Sequence, residues 1–169
     1  MDSFTSPTGN IDRLNLNPDW TVADLGAGTG HYTFDIAKRI KAEGGRGVVY
    51  AVDVQRALLE KVKREAERLG LGAVHILWSD IEVARGIKLA DNICDAVIVS
   101  NVLFQAPDKK AFLTEASRIM KPGGIMMIID WSLHIRREDV VEMAILAGLV
   151  IKEEFNAGSH HFGLLARKR

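Results

Sequence analysis

Short apolar runs and amphipathic stretches of helical period alternate along most of this chain. Val22-Ala23-Asp24-Leu25 has the pattern of a strand, and from about His31 a helix carries Thr33, Ile36, Ala37 and Ile40 on one face. Val48 to Val52 is apolar throughout, as in a strand buried on both sides. A second helix is expected from about Gln55 to Leu69, with Leu58, Val62, Ala66 and Leu69 as its inward stripe. Its outer face pairs Glu60 with Arg64, Lys61 with Glu65 and Lys63 with Glu67. Gly70 and Gly72 turn the chain into a third strand at Ala73 to Leu77.

Farther on, Val83 to Asn92 has no clear period and is expected to be a loop with one helical turn. A fourth strand follows at Ala96 to Ser100. A helix then spans Lys109 to Met120, capped by Asp108, with Phe112, Ala116 and Ile119 inward. Ile125 to Asp130 makes a fifth strand, and Glu138 to Ala147 a helix stopped by Gly148. Leu149 to Phe155 and His161 to Ala166 form a closing strand pair joined through Asn156-Ala157-Gly158-Ser159. Ahead of the first strand, Met1 to Asn10 is polar, with Pro7 and Gly9, and is expected to fray; Ile11 to Leu16 suits one helical turn. Strands alternating with helices imply an α/β domain with a mostly parallel sheet covered on both faces. The tightly joined last pair demands one antiparallel strand.

Composition narrows the classes. The chain has 169 residues, 47% hydrophobic and 26% charged, enough for one domain with its own core, and no repeat or linker divides it. Lys plus Arg and Asp plus Glu balance at 22 each, so the basic excess usual for a nucleic-acid partner is missing. Arg167-Lys168-Arg169 reads as a solvated end. The single cysteine, Cys94, allows no internal disulfide, and no apolar run nears ~20 residues. The expected location is the cytoplasm, with no membrane contact.

The chemistry gathers at Asp24-Leu25-Gly26-Ala27-Gly28-Thr29-Gly30, where a strand runs through alternate glycines into a helix. Glycine there permits a tight turn and a close ligand, and unpaired helix N–H groups favour a polar or anionic group. The spacing is neither G-x-G-x-x-G nor a P-loop with its lysine, which disfavours an NAD-type dehydrogenase. A second strand ends at Asp53, about 20 residues beyond the loop, where a carboxylate can accept ribose hydroxyls.

The D-x-G-x-G-x-G run is similar to the first motif of the class I S-adenosylmethionine-dependent methyltransferases. Trp78-Ser79-Asp80-Ile81 resembles that superfamily's third motif, and Cys94 to Asn101 its fourth strand. Glu115-Ala116-Ser117-Arg118-Ile119-Met120-Lys121-Pro122-Gly123-Gly124 resembles its E-x-x-R-[VI]-L-K-P-G-G signature, notably in the branch of the ubiquinone/menaquinone biosynthesis methyltransferases. The resemblance runs from Thr21 to Arg167. It implies one class I domain over residues 1–169, with a Rossmann-like seven-stranded sheet ordered 3-2-1-4-5-7-6 and an antiparallel last strand. It also implies S-adenosyl-L-methionine as cofactor. Residues 1–19 are a short extension lacking the full lid that many relatives carry there.

By the same resemblance the cofactor site comprises Asp24, Gly26, Ala27, Gly28, Gly30, Asp53, Val54, Asp80, Ile81, Ser100 and Asn101. Backbone at the glycines approaches the methionine portion, and Asp24 orients the loop toward the ammonium. Asp53 takes the ribose, Asp80 the adenine amino group with Ile81 beside it, and backbone near Ser100 and Asn101 the methionine end. A general base matters only if the nucleophile must lose a proton. His31, Gln105 and His134 are the candidates, with Phe104 and Trp131 as walls. His160-His161 would point to opposite sheet faces and no metal-ligand spacing recurs, so no metal is expected.

The expected function is methyl transfer to a small molecule. A protein or RNA acceptor at an open pocket, or a non-catalytic module binding S-adenosylmethionine or S-adenosylhomocysteine, are the alternatives. Ser100-Asn101-Val102-Leu103 lacks the N-P-P-[YF] pattern used on nucleobase amines. A second copy of the chain, as a homodimer, is one candidate cover for the pocket.

Overall fold

The computed structural model describes residues 7–169. In chain order the elements are α1 (Pro7–Asp12), β1 (Thr21–Leu25), α2 (His31–Ala42), β2 (Val48–Asp53), α3 (Arg56–Arg68), β3 (Val74–Trp78) and β4 (Cys94–Ser100). A 3₁₀ turn at Leu103–Gln105 follows, then α4 (Lys109–Ile119), β5 (Met120–Trp131), α5 (Arg137–Leu146), β6 (Leu149–Gly158) and β7 (His161–Lys168). The strands form one seven-stranded sheet in the order β3-β2-β1-β4-β5-β7-β6. Only β7 runs against its neighbours, pairing antiparallel with both β5 and β6.

Alternation along the strands divides the core. Val97, Val99 and Ile128 face α4 and α5 with Phe112 and Val140, while Val22, Ile98 and Ile129 face α1 and α2 with Ile11 and Ile36. The central strands are therefore apolar on both sides, as parallel strands under two helical layers must be. The strand order reverses between β1 and β4, and a crevice opens there beyond the strands' C-terminal ends.

Several element details differ from the sequence expectations. The N-terminal helix is Pro7–Asp12, earlier than the expected turn at Ile11–Leu16: Pro7 suits a first helical position, and Asn15 at φ +46° belongs to the turn that follows. The rest of the expected frayed end, Met1 to Ser6, lies outside the described residues. In α3 the inward stripe is Leu59, Val62 and Ala66, with Leu58 and Leu69 half-buried. Two adjacent leucines left the helix phase ambiguous by one residue.

β5 begins at Met120, already extended at the end of α4 and paired with Cys94; pairing resumes at Ala96 with Ile125 after the Lys121–Gly124 excursion. Residues 83–92 form bends and turns with no helical turn, because Ile87 and Leu89 spend their backbone groups on Glu115 and Arg118. The last hairpin turns at Ser159-His160. Asn156 to Gly158 stays in β6 through a register shift, and His160 takes the left-handed turn conformation at φ +57°.

Candidate functional site

The three glycines of the loop are there for three separate reasons. Gly26 (φ +73°) would put a Cβ 2.6 Å from Val102 Cγ2, so it permits contact between the β1 and β4 ends. Gly30 (φ +87°) would drive a Cβ into the Phe34 ring at 2.9 Å and so seats α2 on its neighbours. Gly28 (φ +55°) would meet nothing closer than 3.9 Å, so its backbone faces open space. The N–H groups of Gly26 and Ala27 donate to the Val52 carbonyl at 2.8 and 3.0 Å, locking the loop to β2.

Two carboxylates anchor the loop from either side. Asp24, buried at the end of β1, accepts from Thr33 N–H at 3.1 Å and Thr33 Oγ at 2.6 Å through Oδ2. Burial pushes its carboxyl up to about 6, against the lowering effect of the Thr33 bonds. Asp53 accepts Gly28 N–H on Oδ2 at 2.9 Å and Gln55 N–H on Oδ1 at 2.8 Å.

Gly26, Gly28 and Asn101 separate two chambers of one crevice. The larger, about 660 Å³, is lined also by Asp24, Ala27, His31, Tyr32, Ser100 and, from α1, Pro7. The smaller, about 240 Å³, takes Asp53, Val54, Gln55, Ile81, Val102, Gln105 and Phe112 in its walls. Asn101 sits between them at φ +54°, its N–H donating to the Ile129 carbonyl at 2.8 Å and its side-chain Oδ1 buried without a partner. An unpaired acceptor in the divider of a crevice is what a missing ligand donor leaves behind.

The structure thus brings nine of the eleven expected cofactor residues onto the two chambers: Asp24, Gly26, Ala27, Gly28, Asp53, Val54, Ile81, Ser100 and Asn101. Gly30 lines neither, for the packing reason above. Asp80 lines neither as well. It is half-buried, and its Oδ1 accepts Glu82 N–H at 3.0 Å in a local turn that presents Ile81 and Glu82 to the smaller chamber.

Of the candidate bases, His31 lines the larger chamber, exposed at the start of α2. Gln105 lines the smaller, its Nε2 donating to the Asn101 carbonyl at 3.4 Å. His134 lines neither; it stacks on Phe104 (centroids 5.2 Å, 20°) beside Trp131. Among the described residues no three His, Cys, Asp or Glu side chains converge as metal ligands.

Sequence reading missed Pro7, Tyr32, Val102 and Phe112 as walls. Tyr32 adjoins His31 and was within reach of it. Pro7 and Phe112 arrive by tertiary packing that no local pattern announces. A further cavity of about 490 Å³, between α3 and β3, is lined by residues such as Lys63, Leu71 and His75, away from the glycine loop.

A family model described as a methyltransferase domain matches residues 16–161. The chain belongs to this methyltransferase domain family. Its cofactor is S-adenosylmethionine.

A ubiquinone/menaquinone biosynthesis C-methyltransferase of Burkholderia cenocepacia is 32% identical over 122 residues, covering 72% of this chain and 47% of that protein. An arsenite methyltransferase of Aquipseudomonas alcaligenes is 29% identical over 144 residues, covering 79% and 41%. The chain thus spans less than half the length of these curated relatives. The crystal structure of an S-adenosylmethionine-dependent methyltransferase from Aquifex aeolicus superposes with a TM-score of 0.85 at 27% identity, covering 98% of this chain and 90% of that one.

The residues present fit the family's cofactor. Gly28 leaves room at its Cα, Asp53 keeps acceptor capacity beyond its two amide bonds, and the Asn101 acceptor awaits a donor. No helix among the described residues is long and apolar enough to cross a membrane.

Proposed function

We propose that this chain transfers the methyl group of S-adenosylmethionine to a small-molecule acceptor. The observation that carries the reading is the two-chambered crevice divided at Gly28 and Asn101, with a carboxylate anchoring each side. The smaller chamber, with polar and apolar walls, suits an adenosyl group: Asp53 to accept its ribose hydroxyls, Val54 and Ile81 to pack its ring. The larger suits the amino-acid end, with Asp24, Ser100 and Asn101 offering acceptors to an ammonium. Asp80 then acts through the turn it holds at Ile81-Glu82.

When bound, the cofactor supplies an electrophilic methyl group on a sulfonium. What is left to the protein is alignment and exclusion of water. Pro7 and Tyr32 narrow the larger chamber on the α1–α2 side, so α1 works as a short cover over one domain spanning 1–169. An acceptor approaching past the β4 and β5 ends meets Phe104, Trp131 and His134. His31, on the chamber wall, is the best placed of the three candidates to take a proton from an acidic acceptor. Gln105 is an amide wall, and His134 lies outside.

The narrowed chamber and balanced charge favour a small acceptor over a protein or RNA. The named relatives act on small acceptors, by their descriptions in ubiquinone/menaquinone biosynthesis and on arsenite. Arsenite finds little purchase here. The one cysteine, Cys94, is buried at the start of β4 with its thiol pushed up to about 12, chiefly by desolvation, so no thiolate is on offer. A free, buried thiol also suits a cytoplasmic enzyme.

Calorimetric titration with S-adenosylhomocysteine and with NAD tests the cofactor; preference for NAD refutes the reading. Transfer of labelled methyl from S-adenosylmethionine into small-molecule, protein and RNA fractions tests the acceptor. Label in the protein or RNA fraction alone refutes a small acceptor, and label in none favours the binding module.

A further inference from the structure

The wall of the smaller chamber formed by Ile81 and Glu82 belongs to a closed loop. At its neck, Ser79 Oγ accepts Lys88 N–H at 3.1 Å, and the Asp80 carbonyl lies where a Cβ on Gly86 would come within 1.9 Å of it. Asp80 and Gly86 N–H (donating to the Val83 carbonyl at 2.7 Å) hold the tip. On the β3 side the returning segment of this loop has the Lys88 ammonium over the Trp78 ring; its backbone at Ile87 and Leu89 is held from α4, by Glu115 and Arg118.

Glu115 is buried and accepts Ile87 N–H on Oε1 at 3.1 Å. Arg118 donates to both Glu115 oxygens at 2.7 and 2.8 Å, to the Ile87 carbonyl at 2.9 Å, to the Leu89 carbonyl at 3.0 Å and to Asp91 Oδ1 at 2.5 Å. A planar fork with five donors satisfies two carboxylates and two backbone carbonyls, which lysine cannot reproduce. From there the path to the chamber is short: Ile87 is buried in the same core cluster as Ile81. On the outer side, Lys88 Nζ lies 4.5 Å from the centroid of Trp78, whose Nε1 donates to the Val54 carbonyl at 2.9 Å. The loop is thereby tied to both walls of the chamber, Val54 and Ile81.

We infer that the Glu115–Arg118 pair, which touches neither chamber, is a positioning element for the adenosyl end of the cofactor, setting how closely Ile81-Glu82 closes on it. The inference rests on the proposed function. Its consequence is that loosening the pair weakens cofactor binding in a chain that stays folded.

The test is the dissociation constant for S-adenosylhomocysteine at 25 °C in Arg118→Lys, which keeps the charge and loses the fork, and in Gly86→Ala, which opens the neck from the other end. Both are expected to bind about tenfold more weakly, the size of one lost wall contact. Ile40→Ala, buried near the C-terminal end of α2 in the core cluster on the other face of the sheet, is the control for stability alone. A variant that remains almost wholly folded keeps its affinity however much its melting point has dropped. Wild-type-like affinity in both loop variants, within about twofold, overturns the inference, as does an equal loss in Ile40→Ala. A wild-type chain that binds no S-adenosylhomocysteine overturns instead the function on which it rests.

Discussion

Asp53→Asn removes one oxygen from a group that is using both. Oδ2 holds Gly28 N–H at 2.9 Å and Oδ1 holds Gln55 N–H at 2.8 Å, and the side chain is 6% exposed. Both amides are fixed by their own elements, the glycine loop and the approach to α3, so asparagine must turn its NH₂ toward one of them. A buried donor left without an acceptor costs about 1–3 kcal/mol. For a chain of this size that lowers the melting temperature by about 2–4 °C per kcal/mol.

Affinity should fall as well. A carboxylate offers about four acceptor positions, two of them taken here, leaving two for ribose hydroxyls. Losing one charge-assisted bond of about 1.5–3 kcal/mol weakens S-adenosylhomocysteine binding by about 10- to 150-fold. Scanning fluorimetry gives the first number and calorimetry at 25 °C the second. An unchanged melting temperature would mean the two amides do not depend on Asp53. An affinity within about twofold of wild type would remove the ribose from its role.

Gly26→Ala combines a left-handed backbone, costing about 1–2 kcal/mol, with a Cβ 2.6 Å from Val102, costing about 1–3 kcal/mol. Urea unfolding should show both, and Val102→Ala in the same chain should return only part of the second, because the Cβ at position 102 still lies 2.9 Å away. Asp24 has a carboxyl raised to about 6 from 3.8, so the folded state holds its proton more tightly and stability falls as pH rises between those values. Asp24→Asn removes that dependence. The variant's melting stability relative to wild type should therefore grow from pH 4 to pH 6 and level off about 3 kcal/mol higher, and a flat difference would refute the shift. His161 donates from Nδ1 to the Ser159 carbonyl (2.7 Å) while its Nε2 is buried with no partner. His161→Phe trades one hydrogen bond for relief of that orphan, so thermal unfolding should move by no more than about 1 kcal/mol either way; a loss above about 3 kcal/mol would show that Nε2 is satisfied in solution.

What the sequence disclosed, and what it withheld, follows the range of the interactions. The glycine loop, Asp53 and the order of elements are local signals: a turn needs glycine where φ is positive, and a carboxylate at a strand end stays beside the loop it follows. The sheet order was reached by resemblance, since pairing of β1 with β4 across some seventy residues leaves no mark in either strand. The phase of α3 failed by one residue because Leu58 and Leu59 are equally apolar. Residues 83–92 were unreadable because their backbone partners, Glu115 and Arg118, lie on another helix. Gly30 was assigned to the ligand by the company it keeps in the motif, yet its missing Cβ makes room for Phe34.

That last case bears on how such loops should be read. Alternate glycines look like one device, yet Gly30 lines neither chamber, and the missing Cβ atoms of Gly26 and Gly30 bring Val102 and Phe34 close enough to hold the loop rigid. Rigidity matters because the loop's own N–H groups are largely spent, on Val52, Ala27 and Asp53, before any ligand arrives. Under the proposed function, recognition falls to acceptors with capacity left over: the second lone pairs of Asp53 and the unpaired Oδ1 of Asn101. Among the described residues the two buried side-chain atoms without partners are Asn101 Oδ1 and His161 Nε2, both on the ligand-bearing edge of the sheet. A fold that satisfies its polar groups elsewhere, down to the five donors of Arg118, gives up stability at that edge, where a ligand rich in donors would restore it.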